Sequence, residues 1–265
     1  MSELRAESVT VRFGGLTALS DVSIDVPSGG FVGLIGPNGA GKTTLFNVIS
    51  GFILPWRGRI TFDGQDVTRA SASKRAAMRI GRTFQKLELF GRMTVLENML
   101  VAAEAGAKRL GLMTDLLHLP GRHRAERRSA GIAEQVIADL NLGWARDRRT
   151  ADLPVGSARI VELGRALCTN PALLLLDEPS SGLDSGETEG FGALLRRINE
   201  ERGVGILLVE HDMDLVMDVC KKIHVLDFGR VIATGTTKEI AANAAVRAAY
   251  LGEEADEAPA SPARR

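Results

Sequence analysis

Two apolar patterns divide this chain. Near the N-terminus, residues 9–13 and 22–26 place apolar side chains at every second position, the period of strands with one face in the core and one in water. Arg59-Ile60-Thr61-Phe62 followed by Asp63-Gly64 predicts another short strand closed by a turn. Later the alternation disappears. Leu173-Leu174-Leu175-Leu176, Ile206-Leu207-Leu208-Val209 and Ile223-His224-Val225-Leu226 are nearly continuous apolar runs, expected of strands covered by helices on both faces. A further apolar run, Phe31-Val32-Gly33-Leu34-Ile35, precedes a glycine-rich segment. Phe191, Leu194, Leu195 and Ile198 recur at helical spacing between the later strands. The predicted fold is α/β, with a mainly parallel core sheet and an N-terminal antiparallel β annex.

The stretch from about 94 to 152 reads differently. It predicts helices around 95–104 and 132–142 and no strand, so it is a helical subdomain of about 86–158 inserted into one domain of 1–252. The segment 108–128 joins the helices, with apolar Leu110, Leu112, Leu116 and Leu117 ahead of basic Arg122, Arg124, Arg127 and Arg128. Its basic cluster reads as a solvated surface before it reads as a face for lipid headgroups. From Glu253 to Arg265 the composition of Ala, Pro and charge predicts a disordered tail.

Composition narrows the field. Lys+Arg and Asp+Glu balance at 33 each over 265 residues, so no global field points to nucleic acid. No apolar stretch approaches the ~20 residues of a membrane-spanning helix, and the N-terminus carries no signal pattern. Cys168 and Cys220 stand far apart in apolar contexts and read as reduced core residues. These features predict a cytosolic protein.

Gly36-Pro37-Asn38-Gly39-Ala40-Gly41-Lys42-Thr43 spells a phosphate-binding loop between an apolar strand and a helix-like stretch opening at Thr44. Glycines let backbone N–H groups converge on phosphate oxygens, and the helix N-terminus adds partial positive charge. The phosphate-binding set is therefore Gly36, Pro37, Asn38, Gly39, Ala40, Gly41, Lys42, Thr43 and Thr44, with Lys42 reaching the β- and γ-phosphates and the Thr43 hydroxyl helping to hold Mg²⁺. A glycine-rich turn with an incidental lysine is the competing reading, which the full match in context disfavours. Asp177-Glu178 emerges from the C-terminal end of an apolar strand, where ligands of open α/β sheets gather. Asp177 suits a metal ligand and Glu178 a base that polarises water. A salt-bridged strand end competes with that assignment, and the phosphate loop weighs against it.

Phe13, the phosphate loop, Gln85, the Asp177-Glu178 pair, Ser181-Gly182-Leu183-Asp184 and His211 occur in the order and approximate spacing of an ABC-transporter nucleotide-binding domain. The chain resembles that family over residues 4–252. The resemblance implies a P-loop NTPase that binds and hydrolyses ATP with Mg²⁺. It implies that Phe13 stacks on adenine, that Gln85 contacts Mg²⁺ and the catalytic water, and that His211 contacts the γ-phosphate. It places Asp184 in a loop exchanged across a dimer interface. Glu178, His211, Gln85 and Lys42 are then the catalytic set, and Thr43, Gln85 and Asp177 the metal set. Taken singly, Phe13 also fits a plain edge-strand aromatic.

The chain departs from the family where a Leu-Ser-Gly-Gly-Gln stretch normally caps the partner's γ-phosphate. Here Leu153-Pro154-Val155-Gly156-Ser157 stands instead. Pro154 brings neither hydroxyl nor N–H. Gly156 and the helix amides still offer an anion site, while Ser157 supplies a hydroxyl or, the favoured reading, caps the helix. This asymmetry predicts a heterodimer of ATPase subunits.

Residues 12–19, the extended segment after Gln85, and residues 208–213 and 248–252 make the chain similar to the first ATPase subunit of branched-chain amino acid importers. That resemblance implies two integral membrane permeases, a second ATPase subunit, an extracytoplasmic binding protein acting indirectly, and a peripheral location on the cytoplasmic face of the membrane. Urea or amide importers and lipopolysaccharide exporters share parts of the pattern. A soluble ABC ATPase acting on DNA or ribosomes, and a P-loop kinase or GTPase, are the readings from other classes. The first lacks support from long heptad helices or a second cassette, and the second would lack Gln85, the cap region of residues 153–157 and His211.

Overall fold

The computed structural model describes residues 3–83, 85–107 and 121–256. Its N-terminal strands β1 (Leu4–Phe13), β2 (Leu16–Val26), β4 (Arg57–Phe62) and β5 (Gln65–Asp66) form an antiparallel sheet in the order β2-β1-β4-β5. The alternation in sequence becomes a buried and an exposed face, as in β1, where Leu4, Ala6, Val9 and Val11 turn inward.

A second sheet has six strands in the order β10-β9-β3-β8-β7-β6, with β3 at Phe31–Ile35, β6 at Ile80–Arg82, β7 at Leu173–Asp177, β8 at Gly205–Val209, β9 at Lys222–Asp227 and β10 at Arg230–Gly235. All pairs are parallel except β9–β10. Every residue of β3, β7 and β8 is buried, which explains their unbroken apolar runs. Side chains still alternate. Phe31, Ile35, Leu174, Leu176, Ile206 and Leu208 point into one cluster with Val95, Met99, Ala133 and Val136 from the helical segment. Val32, Leu34, Leu173, Leu175, Leu207 and Val209 point into the other, with the antiparallel sheet and Leu45, Phe46, Val48 and Ile49. The six-stranded sheet is thus the wall between two cores.

The helices are α1 (Lys42–Ile49), α2 (Ala72–Ala77), α3 (Val95–Ala107), α4 (Gly121–Asp139), α5 (Val155–Cys168), α6 (Ser185–Arg202), α7 (Met213–Val219), α8 (Thr237–Ala242) and α9 (Ala244–Asp256). The span 94–152 contains helix and no strand among its described residues, as expected, although α4 starts eleven residues before the predicted 132 and ends at Asp139. Residues 140–142, the end of the predicted helix, are not helical, and a short 3-10 turn, Gly143–Ala145, follows them. Residues 108–120, with Leu110, Leu112, Leu116 and Leu117, lie outside the described residues. Helix α9 runs to Asp256, which corrects the predicted disorder of the first four tail residues; 257–265 lie outside the description. Both cysteines are buried and free, with burial pushing each thiol up to about 12. No helix among the described residues is long and apolar enough to cross a membrane.

Candidate functional site

Strand order brings the site together. β3 lies between β9 and β8, and β8 lies between β3 and β7, with Leu34 opposite Val209 and Asp177 opposite the same Val209. The C-terminal ends of β3, β7 and β8 therefore share one edge. The phosphate loop leaves the first, Asp177-Glu178 the second and Glu210-His211 the third.

The loop runs from Gly36 into α1, whose start at Gly41 (φ 105°) has no side-chain cap. Gly36 sits at φ 148°, and a Cβ there would meet Leu226 O at 1.9 Å, so the β9 backbone enforces glycine at this position. The Gly229 amide donates to Ala40 O at 2.9 Å, fastening the β9–β10 turn beneath the loop. Lys42 is buried, and its Nζ donates to Gly36 O at 2.5 Å and Pro37 O at 2.8 Å. The ammonium is therefore folded across the mouth of its own loop. That concentration of a fixed cation, glycine backbone and an uncapped helix start fits a polyphosphate.

A cavity of about 810 Å³ gathers Thr43, Asn47, Arg82, Gln85 and Asp177. Asp177 Oδ2 pairs with Arg82 Nη2 at 3.1 Å. Burial raises the Asp177 pKa above its ordinary 3.8, and the Arg82 charge works against that rise. Gln85 Nε2 donates to Glu178 Oε2 at 2.6 Å, joining two residues 93 positions apart. Glu178 itself has φ +47°, a left-handed conformation that costs a non-glycine residue about 1–2 kcal/mol. Its amide donates to Val209 O at 2.9 Å, which offsets that cost. Thr43 and Asp177 offer the hydroxyl and carboxylate oxygens that suit a hard divalent cation.

His211 extends from the end of β8 with its side chain 67% exposed, free to meet a ligand at the shared edge. Phe13 is 50% exposed at the end of β1. Its hairpin touches the loop, since a Cβ on Gly41 would meet Leu19 Cδ2 at 2.8 Å and Ala18 O at 3.0 Å.

Gly156, Ser157 and Asp184 are not gathered here. Gly156 and Ser157 line a separate cavity of about 550 Å³ with Trp144, Leu183 and Glu187, and no phosphate-loop residue lines it. The favoured reading of Ser157 as a helix cap is corrected: Pro154 is the N-cap of α5 and no side chain caps it. The proline fixes the extended entry to the helix (φ −56°) and leaves no hydroxyl for the first-turn amides. Asp184 caps α6 by accepting from the Glu187 amide at 2.8 Å, within a capping box. Glu187 Oε1 would meet a Cβ on Gly156 at 2.5 Å, so this glycine admits the α6 cap against the start of α5.

Three neighbouring residues escaped the sequence reading. Arg82 donates to Asn47 Oδ1 and Ser50 Oγ at 2.7 Å each, besides Asp177. Arg159 Nη2 on α5 donates to Ser181 O at 3.1 Å. Glu210 is wholly buried beside His211. The one available signal was charge at the mouth of an apolar strand, seen at Glu210 after Gly205–Val209.

Relatives agree with this geometry. A family model described as ABC transporter matches residues 19–181, and another, described as Branched-chain amino acid ATP-binding cassette transporter, matches 230–256. The chain is 39% identical over 250 residues to the high-affinity branched-chain amino acid transport ATP-binding protein BraF of Pseudomonas aeruginosa, covering 94% of this chain and 98% of that protein. LivG of Escherichia coli, named for the same transport, is 38% identical with the same coverage. The lipopolysaccharide export system ATP-binding protein LptB of Haemophilus influenzae is 34% identical, covering 96% of this chain and 99% of that protein. Among solved structures, the ADP conformation of an ATP-binding cassette of an ABC transporter superposes with a TM-score of 0.81 at 32% identity, covering 96% of this chain and 100% of that one. A dimeric post-hydrolysis cassette bound to ADP and Pi gives 0.72 at 26% identity, covering 88% and 98%. The chain belongs to the ABC transporter family, as an ATP-binding cassette subunit that hydrolyses ATP.

Proposed function

We propose that this chain powers import of branched-chain amino acids through separate membrane permeases, working as a heterodimer with a second ATPase subunit. The observation that carries the substrate class is the match of the C-terminal 230–256 segment to the branched-chain family model. An extracytoplasmic binding protein would deliver the substrate, and this chain would sit peripherally on the cytoplasmic face. Lipid export is the second reading, supported by the likeness to LptB; the C-terminal match favours import. A permease needs an apolar landing surface on the cassette. Exposed Phe52 and Val101 flank a cavity of about 640 Å³ between the end of α1 and the helical segment, and Leu87 and Phe90 are exposed nearby. The domain is read as 1–252, with 86–158 as its helical subdomain.

In the proposed mechanism Phe13 offers its exposed ring to adenine, and residues 36–44 cradle the phosphates. Lys42 leaves its two loop carbonyls to meet β- and γ-oxygens. Thr43, Asp177 and Gln85 would hold Mg²⁺, which would supply charge stabilisation to the phosphoryl oxygens when bound. Glu178 polarises the attacking water, held at the correct angle by the Gln85 amide. His211 contacts the γ-phosphate. Gly156 and Ser157 line a cavity apart from this chain's own loop, and with Asp184 they serve a partner's nucleotide. Hydrolysis then depends on closure of two subunits.

Glu178→Gln should preserve ATP binding and lower steady-state hydrolysis by at least about 100-fold, while Lys42→Ala should weaken nucleotide binding itself. Hydrolysis at the native rate by Glu178→Gln would refute the base assignment. For the substrate, deleting the subunit should abolish uptake of labelled leucine, isoleucine and valine and spare urea; the reverse pattern would refute the import reading.

A further inference from the structure

Glu210 is a carboxylate with 0% exposure at the end of β8. Burying an ion costs several kcal/mol unless hydrogen bonds and charge compensate. No Lys or Arg pairs with it among the described residues, and the ring Nδ1 of His211 stands 3.8 Å from Oε2. What Glu210 does hold is backbone. Oε1 accepts from the Ser180 amide at 2.8 Å, and Oε2 accepts from the His211 amide at 3.2 Å. Such charge-assisted bonds are roughly twice as strong as neutral ones.

The bonds complete a pattern. Of the turn Glu178-Pro179-Ser180, the Glu178 amide goes to Val209 O at 2.9 Å and the Ser180 amide to Glu210, while proline has no amide. Two consecutive residues at the end of β8 thus hold both N–H groups of the turn that carries Glu178 in its left-handed conformation. The turn continues by Ser181 N to Glu178 O at 3.2 Å and Leu183 N to Ser180 O at 3.0 Å, up to Asp184 at the head of α6. Through its second oxygen the same carboxylate grips the backbone of His211.

We infer that Glu210 is a positioning residue for hydrolysis: one buried carboxylate clamps the Glu178 turn to the base of His211, so that the two groups move together. This rests on the reading of Glu178 as the base and His211 as the γ-phosphate contact. A neutral amide cannot replace the clamp, because a glutamine has one acceptor oxygen for two donors and would turn its NH₂ toward one of the two backbone N–H groups. A dislocation of the base by even about 1 Å can cost 100-fold in rate.

The test uses the full chain assembled with its transporter partners, comparing Glu210→Gln and Glu210→Ala with Glu178→Gln and His211→Ala. The expected result is a fall in kcat of about 10–100-fold for Glu210→Ala, a smaller fall for Glu210→Gln, and affinity for a fluorescent ATP analogue within about twofold of native. Adding Glu210→Ala to His211→Ala should lower kcat by less than it does alone, since only the Glu178 turn is then left for the clamp to position. If Glu210→Ala does not fold, Glu210→Gln carries the same comparison. Native kcat in a folded Glu210 variant, strictly multiplicative effects with His211→Ala, or an affinity loss matching the rate loss would overturn the inference. Native hydrolysis by Glu178→Gln would remove the underlying mechanism and the inference with it. An inactive Glu178→Gln beside fully active Glu210 variants would overturn the inference alone.

Discussion

Arg82 and Asp177 form an ion pair of 3.1 Å with side-chain exposures of only 10% and 7%. The guanidinium is shared with Asn47 and Ser50 of the α1 region and lies 5.7 Å from the Phe46 ring centroid and 5.6 Å from that of Phe52. One cation therefore ties the proposed metal-binding carboxylate to the helix that begins in the phosphate loop.

Breaking this pair should be costly. Arg82→Ala leaves Asp177 buried without its ion-pair partner, a loss of about 3–5 kcal/mol for a pair of this kind. Chemical denaturation without nucleotide should reveal it, and adding Mg²⁺ with ATP should shrink the deficit, because a bound cation replaces the missing charge. Arg82→Lys keeps the charge but loses the fork that reaches Asn47, Ser50 and Asp177 at once, so it should fall between. An equal deficit with and without magnesium and nucleotide would contradict the placement of the cation beside Asp177.

The phosphate loop gives a sharper contrast. Gly36→Ala puts a Cβ 1.9 Å from Leu226 O, whereas a Cβ on Gly39 (φ +78°) meets nothing within 4 Å. Gly36→Ala should abolish nucleotide binding and cost about 3 kcal/mol, a fall of roughly 6–12 °C in Tm. Gly39→Ala should cost only the conformational term, about 1–2 kcal/mol. Calorimetric melts and nucleotide titrations of the two variants decide the matter, and equal effects would contradict the role of the β9 carbonyl.

Why the sequence revealed one half of this site and concealed the other follows from distance along the chain. The phosphate loop, the buried strands and Asp177-Glu178 are local patterns: an apolar run, then glycines or carboxylates at its end. Arg82 and Asp177 stand 95 positions apart and Ser180 and Glu210 30 apart, so only parallel strand pairing creates those contacts. Strand β6 has three residues, Ile80, Gly81 and Arg82, too few to display a period. Ser157 was misread because serine near a helix start usually caps it, and the extended backbone at Pro154 moved the cap three residues back.

Acid sensitivity should arise at His224. The ring is buried, with Nδ1 2.9 Å from Thr234 Oγ1 and Nε2 3.3 Å from Asp25 O, beside the Lys222–Asp25 ion pair. Burial holds its pKa below the ordinary 6.5, the Asp25 carbonyl opposes that shift, and the Lys222 charge adds to it. Between that depressed value and 6.5 the unfolded chain binds more protons than the folded one, so stability rises with pH in this window and is lost on acidification. Tm should fall as pH drops from about 7.5 to about 5.5, and His224→Gln, which does not titrate, should flatten the slope. An unchanged slope in His224→Gln would assign the acid sensitivity elsewhere.

Pro154 tests the asymmetry between this chain's two faces. In Pro154→Ser the hydroxyl can accept a first-turn amide of α5, worth about 1 kcal/mol, while loss of the proline frees the unfolded chain by about 0.4–1 kcal/mol. The two effects nearly cancel, so the melting temperature of the isolated subunit should barely move. Closure over a partner's nucleotide should respond differently. A hydroxyl donating to an anionic phosphate contributes about 1.5–3 kcal/mol, equivalent to a tenfold to hundredfold gain in ATP-dependent dimer formation. Sedimentation of Pro154→Ser mixed with the second ATPase subunit, in a hydrolysis-deficient background, should show that gain with ATP and none with ADP. A dimer population unchanged from the native chain would mean that residues 153–157 do not cap the partner's γ-phosphate. The separation of the 550 Å³ cavity from the phosphate loop would then need another explanation.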